Sequence, residues 1–176
     1  MKSGSIVNSE IEDLDFACYL FQEAIKYQKK HGYPEYRWDE RTIQEEYIKK
    51  QQHYKLIKEG QIAAIFNVQF SDKEVWGELD KGDSIYLHGI VVNPHFKGQK
   101  LFSKILAWSI QLAREKKRSS IRMDTWDDNP NLTNYYLDFG FQIVKHSQMP
   151  DGPDVPLNRR GNKAVLMEFK LNSSAE

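Results

Sequence analysis

The chain holds a single cysteine, Cys18, so no disulfide can form within it, and this usage fits a reducing compartment. It has no apolar run close to the ~20 residues that a membrane span requires. Its first ten residues contain no apolar stretch, so no leader is expected. Charge of one sign is not in excess either. Lys+Arg and Asp+Glu stand at 25 each. That balance gives no electrostatic reason to expect nucleic acid or an anionic membrane as a partner. The histidines are scattered, and none shows metal-ligand spacing, so no metal is expected. Repeats and low-complexity tracts are missing as well. A cytoplasmic protein built as one domain over residues 1–176 is the expectation, and a hydrophobic fraction of 40% is enough for an ordinary core.

What is present is periodic. Ser9 and Glu12 have capping-box spacing ahead of Leu14, Ala17, Phe21, Ala24 and Gln28, which predicts a helix from Ser9 to about Lys30, stopped at Gly32. A connection rich in aromatic residues, Tyr33 to Trp38, leads to a second helix from Asp39 to about Gln51. His53–Lys58 and Gln61–Phe70 read as a hairpin turning at Glu59-Gly60. Asp72–Asp83 is polar and reads as a loop. Ile85–Val92 is nearly continuous in apolar residues, as a strand covered on both faces requires. An amphipathic helix follows from Gly98 to Lys117. Ser120–Trp126 alternates, with Ile121, Met123 and Thr125 on one face and Arg122, Asp124 and Trp126 on the other. A short helix over Asn131–Phe139, a strand over Phe141–Ser147, an exposed loop over Met149–Gly161 and a strand over Asn162–Leu171 complete the chain. This order predicts a mixed sheet flanked by helices, with one βαβ crossover from Ile85 to Trp126.

The segment Val91-Val92-Asn93-Pro94-His95-Phe96-Lys97-Gly98-Gln99-Lys100-Leu101-Phe102-Ser103 carries the chemistry. A strand runs into a basic turn, and the turn runs into a helix. A helix start exposes unpaired N–H groups and the positive end of the peptide dipoles. Gly98 lets a phosphate approach the backbone, and the lysines add charge. Downstream, Asn129 opens a short helix that carries Tyr136 and closes at Gly140-Phe141.

Together these two segments resemble the GNAT superfamily of acyl-CoA N-acyltransferases. The first family motif reads here as Pro94 followed by Lys97-Gly98-Gln99-Lys100-Leu101-Phe102, the second as Asn129, Tyr136 and Gly140-Phe141. Lys100 stands where the family has a glycine, and Phe102 where it has a small residue. Both positions are expected in the first turn of the helix at negative φ, without backbone strain. Lys97 replaces an arginine and trades a bidentate fork for a point charge.

The resemblance implies a GNAT-like α/β fold of α+β character: a central, mixed, mostly antiparallel sheet with about four helices. It implies acetyl-CoA as cofactor and transfer of an acetyl group to a primary amine of a small molecule or peptide, by direct attack. A non-catalytic acyl-CoA sensor or interaction module on the same fold is the alternative. A homodimer is compatible with the family. N–H groups of Gly98, Gln99, Lys100, Leu101, Phe102 and Ser103 should receive the diphosphate, and Ile90, Val91 and Val92 should pair with the pantetheine arm. Asn129 either cradles that arm or caps its helix.

The amine must also lose a proton. From a reference value of ~10.4, the neutral form costs roughly 4–5 kcal/mol at pH 7. His88 is the base that the resemblance implies; the alternative is a core histidine. Asp124 and Trp126 form the runner-up pair, which would attract and pack on a cation unless their face is solvated. Tyr136 is the expected proton donor to the leaving thiolate; otherwise it only packs. Tyr36 and Trp38 are expected to line the acceptor side.

Overall fold

The strands and helices predicted from periodicity are present, with two additions and several shifted ends. The computed structural model describes residues 4–33, 40–149, 151–153 and 160–172. In chain order the elements are β1 (Ser5–Asn8), α1 (Leu14–His31), α2 (Glu40–Lys49), β2 (His53–Lys58), β3 (Gln61–Gln69), α3 (Lys73–Trp76), β4 (Ser84–Val92), α4 (Phe102–Glu115), β5 (Ser120–Trp126), α5 (Pro130–Leu137), β6 (Gln142–Gln148) and β7 (Lys163–Lys170). The strands form one sheet in the order β1-β2-β3-β4-β5-β7-β6. β4 and β5 are parallel, as the crossover through α4 requires, while β1–β2, β2–β3, β5–β7 and β6–β7 are antiparallel. Among the described residues, no helix is long and apolar enough to cross a membrane. β1 and α3 are the additions, each only four residues long. Most of the expected loop Met149–Gly161 lies outside the described residues.

The chain divides into two compact units, one of residues 1–68 and 87–108, the other of residues 69–86 and 109–176. In the first, α1 buries Leu14, Ala17 and Phe21 of the stripe its 3.6-residue period predicts, together with Leu20, while Ala24 and Gln28 are half-buried. Ala17, Leu20 and Phe21 pack with Ile65 of β3 and Val91 of β4. Gly32, at φ +68°, ends α1 as expected. The start of α1 differs from expectation. Glu10 and Asp13, not Ser9 and Glu12, form the reciprocal pair: the Glu10 N–H donates to Asp13 Oδ2 at 2.7 Å. Ser9 is drawn inward, its Oγ 2.6 Å from Nδ1 of His53, and both residues are 1% exposed. Burial pushes the His53 imidazole down to about 4, so it is neutral at pH 7.

The β2–β3 hairpin turns at Glu59 and Gly60 with φ of 54° and 75°. Two consecutive left-handed residues match the twist of the flanking strands. On the strand face opposite Ile65, Tyr54 and Phe66 meet Trp108 of α4 with ring centroids 4.7 and 5.5 Å away. A helix therefore covers each face of this part of the sheet. β4 breaks its extended run at Gly89, φ +56°. A Cβ there would lie 3.1 Å from Asn67 Nδ2 and 3.2 Å from Phe21 Cζ.

The second unit orders the segment read as a loop, Asp72–Asp83, through buried polar groups. Asp72 caps α3, its carboxylate accepting from the Val75 N–H. Arg122 donates to Glu168 at 2.9 Å, to the Leu79 carbonyl at 2.7 Å and to the Tyr86 hydroxyl at 3.1 Å. Its guanidinium lies 4.7 Å from the Trp76 ring centroid. The Arg122 face of β5 is therefore covered at this end rather than solvated. Tyr86 donates in turn to Asp80 at 2.9 Å. Burial alone would raise the Asp80 carboxyl, but donors from Ser71, Gly82, Tyr86 and Asp72 outweigh it and hold the group at about 2.

Two predictions follow from these contacts. Gly89→Ala combines a left-handed φ with two close contacts and should cost at least about 1–2 kcal/mol, read as a lower midpoint in chemical denaturation. For Asp80, the folded value of about 2 lies below the ordinary ~3.9. Its contribution is present above the ordinary value and is lost as pH falls through the folded one. Asp80→Asn should therefore be less stable than wild type at neutral pH. The two stability curves should converge as pH falls from about 4 to about 2.

Candidate active site

The end of β4 is anchored before the turn begins. Asn93, 8% exposed, takes the Ala63 carbonyl on its N–H at 2.9 Å and donates from Nδ2 to the Ile62 carbonyl at 2.9 Å. Its Oδ1 accepts from the His95 N–H at 3.0 Å, which starts the 3-10 turn Pro94–Phe96. Phe96 plugs the core at 2% exposed. With both ends of this turn pinned, the chain enters α4 by way of Gly98 at φ +80° and Lys100 at φ +52°.

Lys100 corrects the sequence reading. α4 begins at Phe102 rather than Gly98, so position 100 belongs to the turn and takes the left-handed conformation. That costs a non-glycine residue about 1–2 kcal/mol. Ser103 donates both its N–H, at 3.1 Å, and its hydroxyl, at 2.8 Å, to the Lys100 carbonyl. The Gln99 N–H is used by the Phe96 carbonyl, and the Gln99 side chain accepts from Lys58. Neither Ser103 nor Gln99 therefore keeps the open amide expected of it. Among the described residues, the N–H groups of Gly98, Lys100 and Leu101 donate to no protein oxygen. A Cβ on Gly98 would meet no atom within 4 Å. Lys97 and Lys100 flank these amides, and the first turn of α4 carries no acidic residue. Open amides, positive charge and an unscreened helix dipole fit a diphosphate.

The other predicted residues divide between the units. In the first, Ile90 and Val92 are half-buried and Val91 is 5% exposed, directly after the break at Gly89. His88 is half-buried on the same strand. Leu101 and Phe102 are each 3% exposed, so Phe102 fills the core instead of crowding the turn. Tyr36 and Trp38 lie outside the described residues. In the second unit, Asn129 caps α5, its Oδ1 accepting from the Leu132 N–H at 3.2 Å. Tyr136, on α5, is 8% exposed and meets the rings of Tyr135 and Phe141 edge-on at 5.4 and 6.2 Å. Asp124 and Trp126 are half-buried on β5, opposite Leu166 and Ala164 of β7.

Three features were not legible in the sequence. Asp72 brings a carboxylate oxygen within 4.8 Å of one on Asp124. Asn67 and Gln44, 2% and 1% exposed, form a buried amide pair at 3.3 Å beside Gly89. Tyr27 of α1 lies beneath the Lys97 ammonium, 3.8 Å from the ring centroid. All three join residues distant in sequence, and no local pattern marks them.

Comparison with known proteins agrees with this geometry. The chain matches the family described as Acetyltransferase (GNAT) family over residues 10–141. It is 30% identical over 73 residues to the uncharacterized N-acetyltransferase YesJ of Bacillus subtilis (strain 168). That match covers 42% of this chain and 41% of the relative, so the chain matches less than half of that protein's length. Among solved structures, a GNAT family acetyltransferase from Streptococcus agalactiae superposes with a TM-score of 0.76 at 18% identity, over 98% of each chain. YncA from Salmonella typhimurium, solved with its cofactor acetyl-CoA, superposes with a TM-score of 0.66 at 14% identity, over 99% of this chain and 98% of that one. These two likenesses establish the fold. With the motif turn, the parallel crossover and a family match over three quarters of the sequence, the chain belongs to the acetyltransferase (GNAT) family, whose cofactor is acetyl-CoA.

Proposed function

We propose that the protein is an N-acetyltransferase that moves the acetyl group of acetyl-CoA to a primary amine by direct attack. The observation that carries this reading is the β4–α4 turn, where, among the described residues, the backbone donors of Gly98, Lys100 and Leu101 have no protein partner and two lysines share the segment. The amides of Gly98, Lys100 and Leu101 would hold the diphosphate, with Lys97 and Lys100 balancing its charge. The segment Ile90–Val92, directly after the left-handed break at Gly89, would hydrogen-bond the pantetheine amides. When bound, acetyl-CoA supplies an acyl group activated as a thioester.

The remaining tasks fall to side chains. Tyr136 is assigned the proton that neutralises the departing thiolate. Its packing against the rings of Tyr135 and Phe141 restricts the direction in which the phenol can point. His88 is assigned removal of the amine proton, because a near-neutral imidazole matches that task. Asp124 and Asp72, with carboxylate oxygens within 4.8 Å of each other, would draw in an acceptor that arrives as a cation. This favours small cationic amines such as polyamines, amino-acid derivatives or a peptide N-terminus.

Thiol release from acetyl-CoA over a panel of spermidine, an amino-acid amide and an alanine-initiated peptide tests the reading. Turnover of at least one member is expected. Tyr136→Phe should lower kcat by about 10²-fold or more while leaving KM for acetyl-CoA within about two-fold; an unchanged kcat removes the tyrosine from the chemistry. Tight CoA binding without turnover of any amine would favour the sensor. Lys100→Gly removes both the left-handed strain and one charge. It should change stability by less than about 1 kcal/mol yet weaken CoA several-fold by calorimetry, with a smaller salt dependence.

A further inference from the structure

Lys97 presents a problem of direction. It stands where the family carries an arginine, and a lysine ammonium on a four-carbon stem has no planar fork to fix its position. The structure supplies a fixed position from another element. The Lys97 Nζ lies 3.8 Å from the ring centroid of Tyr27, on α1. The Tyr27 ring is itself held, because His31, one helical turn on, stacks with it at 4.0 Å and 29°. His31 is pinned in turn, its Nδ1 2.8 Å from the Tyr27 carbonyl oxygen.

This contact differs from an ion pair in what it leaves behind. A carboxylate would neutralise the ammonium and occupy its donors. A ring face attracts the charge through its quadrupole and leaves the N–H groups pointing away from the ring unspent. Among the described residues Lys97 forms no salt bridge, so no carboxylate offsets its charge next to the amides of Gly98, Lys100 and Leu101. Tyr27 is also 44% exposed, although it is a large aromatic residue next to the apolar stripe of α1. Burial does not account for its ring, whereas the cation above it does.

We propose that Tyr27 is a positioning residue for cofactor binding: its ring holds the Lys97 ammonium where the phosphates of coenzyme A are received. This inference depends on the acetyltransferase reading above. It extends the diphosphate seat from the β4–α4 turn to α1, and it explains how a lysine serves where an arginine is usual.

Calorimetric titration of coenzyme A into the wild type, Tyr27→Leu, Tyr27→Phe, Lys97→Ala and the Tyr27→Leu/Lys97→Ala double variant tests this without any need for turnover. Tyr27→Leu should weaken coenzyme A about three- to five-fold, the scale of a partly exposed cation–π contact. Tyr27→Phe keeps the ring and should bind as the wild type does. In the Lys97→Ala background the Tyr27→Leu change should have no further effect. Thermal melts of the same variants report folding separately. The inference is overturned if Tyr27→Leu binds like wild type, if it weakens binding equally in both backgrounds, or if Tyr27→Phe is as weak as Tyr27→Leu. A wild type that binds no coenzyme A overturns the acetyltransferase reading itself, an outcome distinct from any of these.

Discussion

A peptide N–H that has left a strand and has not yet entered a helix has no built-in acceptor, and the β4–α4 turn concentrates that deficit. Asn93 ties the end of β4 to β3, and Phe96 plugs the core. Between these anchors and the first helical residue the chain must reverse in very few steps. It does so with left-handed residues at 98 and 100. Among the described residues the N–H groups of Gly98, Lys100 and Leu101 find no protein acceptor, and the α4 dipole adds its positive end. Gly98 and Lys100 are exposed, so water or an anion can satisfy their amides.

The two units reach order by different means. In the first, β3 is buried over Ala63–Val68 with α1 on one side and Trp108 of α4 on the other, so apolar contact dominates. In the second, the segment between β3 and β4 has too few apolar residues to pack itself. Asp80 and Arg122 organise it instead, one gathering four donors and the other reaching Glu168, the Leu79 carbonyl and the Tyr86 hydroxyl. A buried network of this kind is stable only when its members are paired, since an unpaired charge in such a place is costly. It also fixes Asp72, whose N–H donates to Asp80 and whose carboxylate caps α3. The acidic side of the proposed acceptor region therefore depends on a residue eight positions further along the chain.

Where one period dominated, the sequence was readable to the residue. β5 runs Ser120–Trp126 as its alternation predicted, and the hairpin turns at Glu59-Gly60 as expected. α1 stops at Gly32. Ends governed by tertiary contacts were not readable. Ser9 looked like a cap, but the buried imidazole of His53, 44 positions away, claims its hydroxyl, and the cap passes to Glu10 and Asp13. β1 has four residues and too little pattern to register. Asn129 kept two readings in the sequence, and its bond to the Leu132 N–H shows that it caps. Tyr27, Asp72, Asn67 and Gln44 are ordinary in their local sequence. Each gains significance only through a partner on another element.

The departures from the family motif can be separated on these grounds. A glycine is favoured at a left-handed position because it has no Cβ, and a lysine can occupy the same position at a cost of about 1–2 kcal/mol. Lys100 does so, which preserves the backbone path and adds an exposed lysine to the turn. Phe102 is the first residue of α4 and is 3% exposed, so its ring belongs to the core and takes no space from the turn. Lys97 loses the planarity of an arginine, but it rests on an aromatic ring that is itself held by a stacked histidine. In each case the substitution changes a side chain and leaves the three amides in place. A sequence that looks weakened when scored residue by residue against the motif thus retains the feature the motif exists to build: backbone donors without acceptors, set among positive charge.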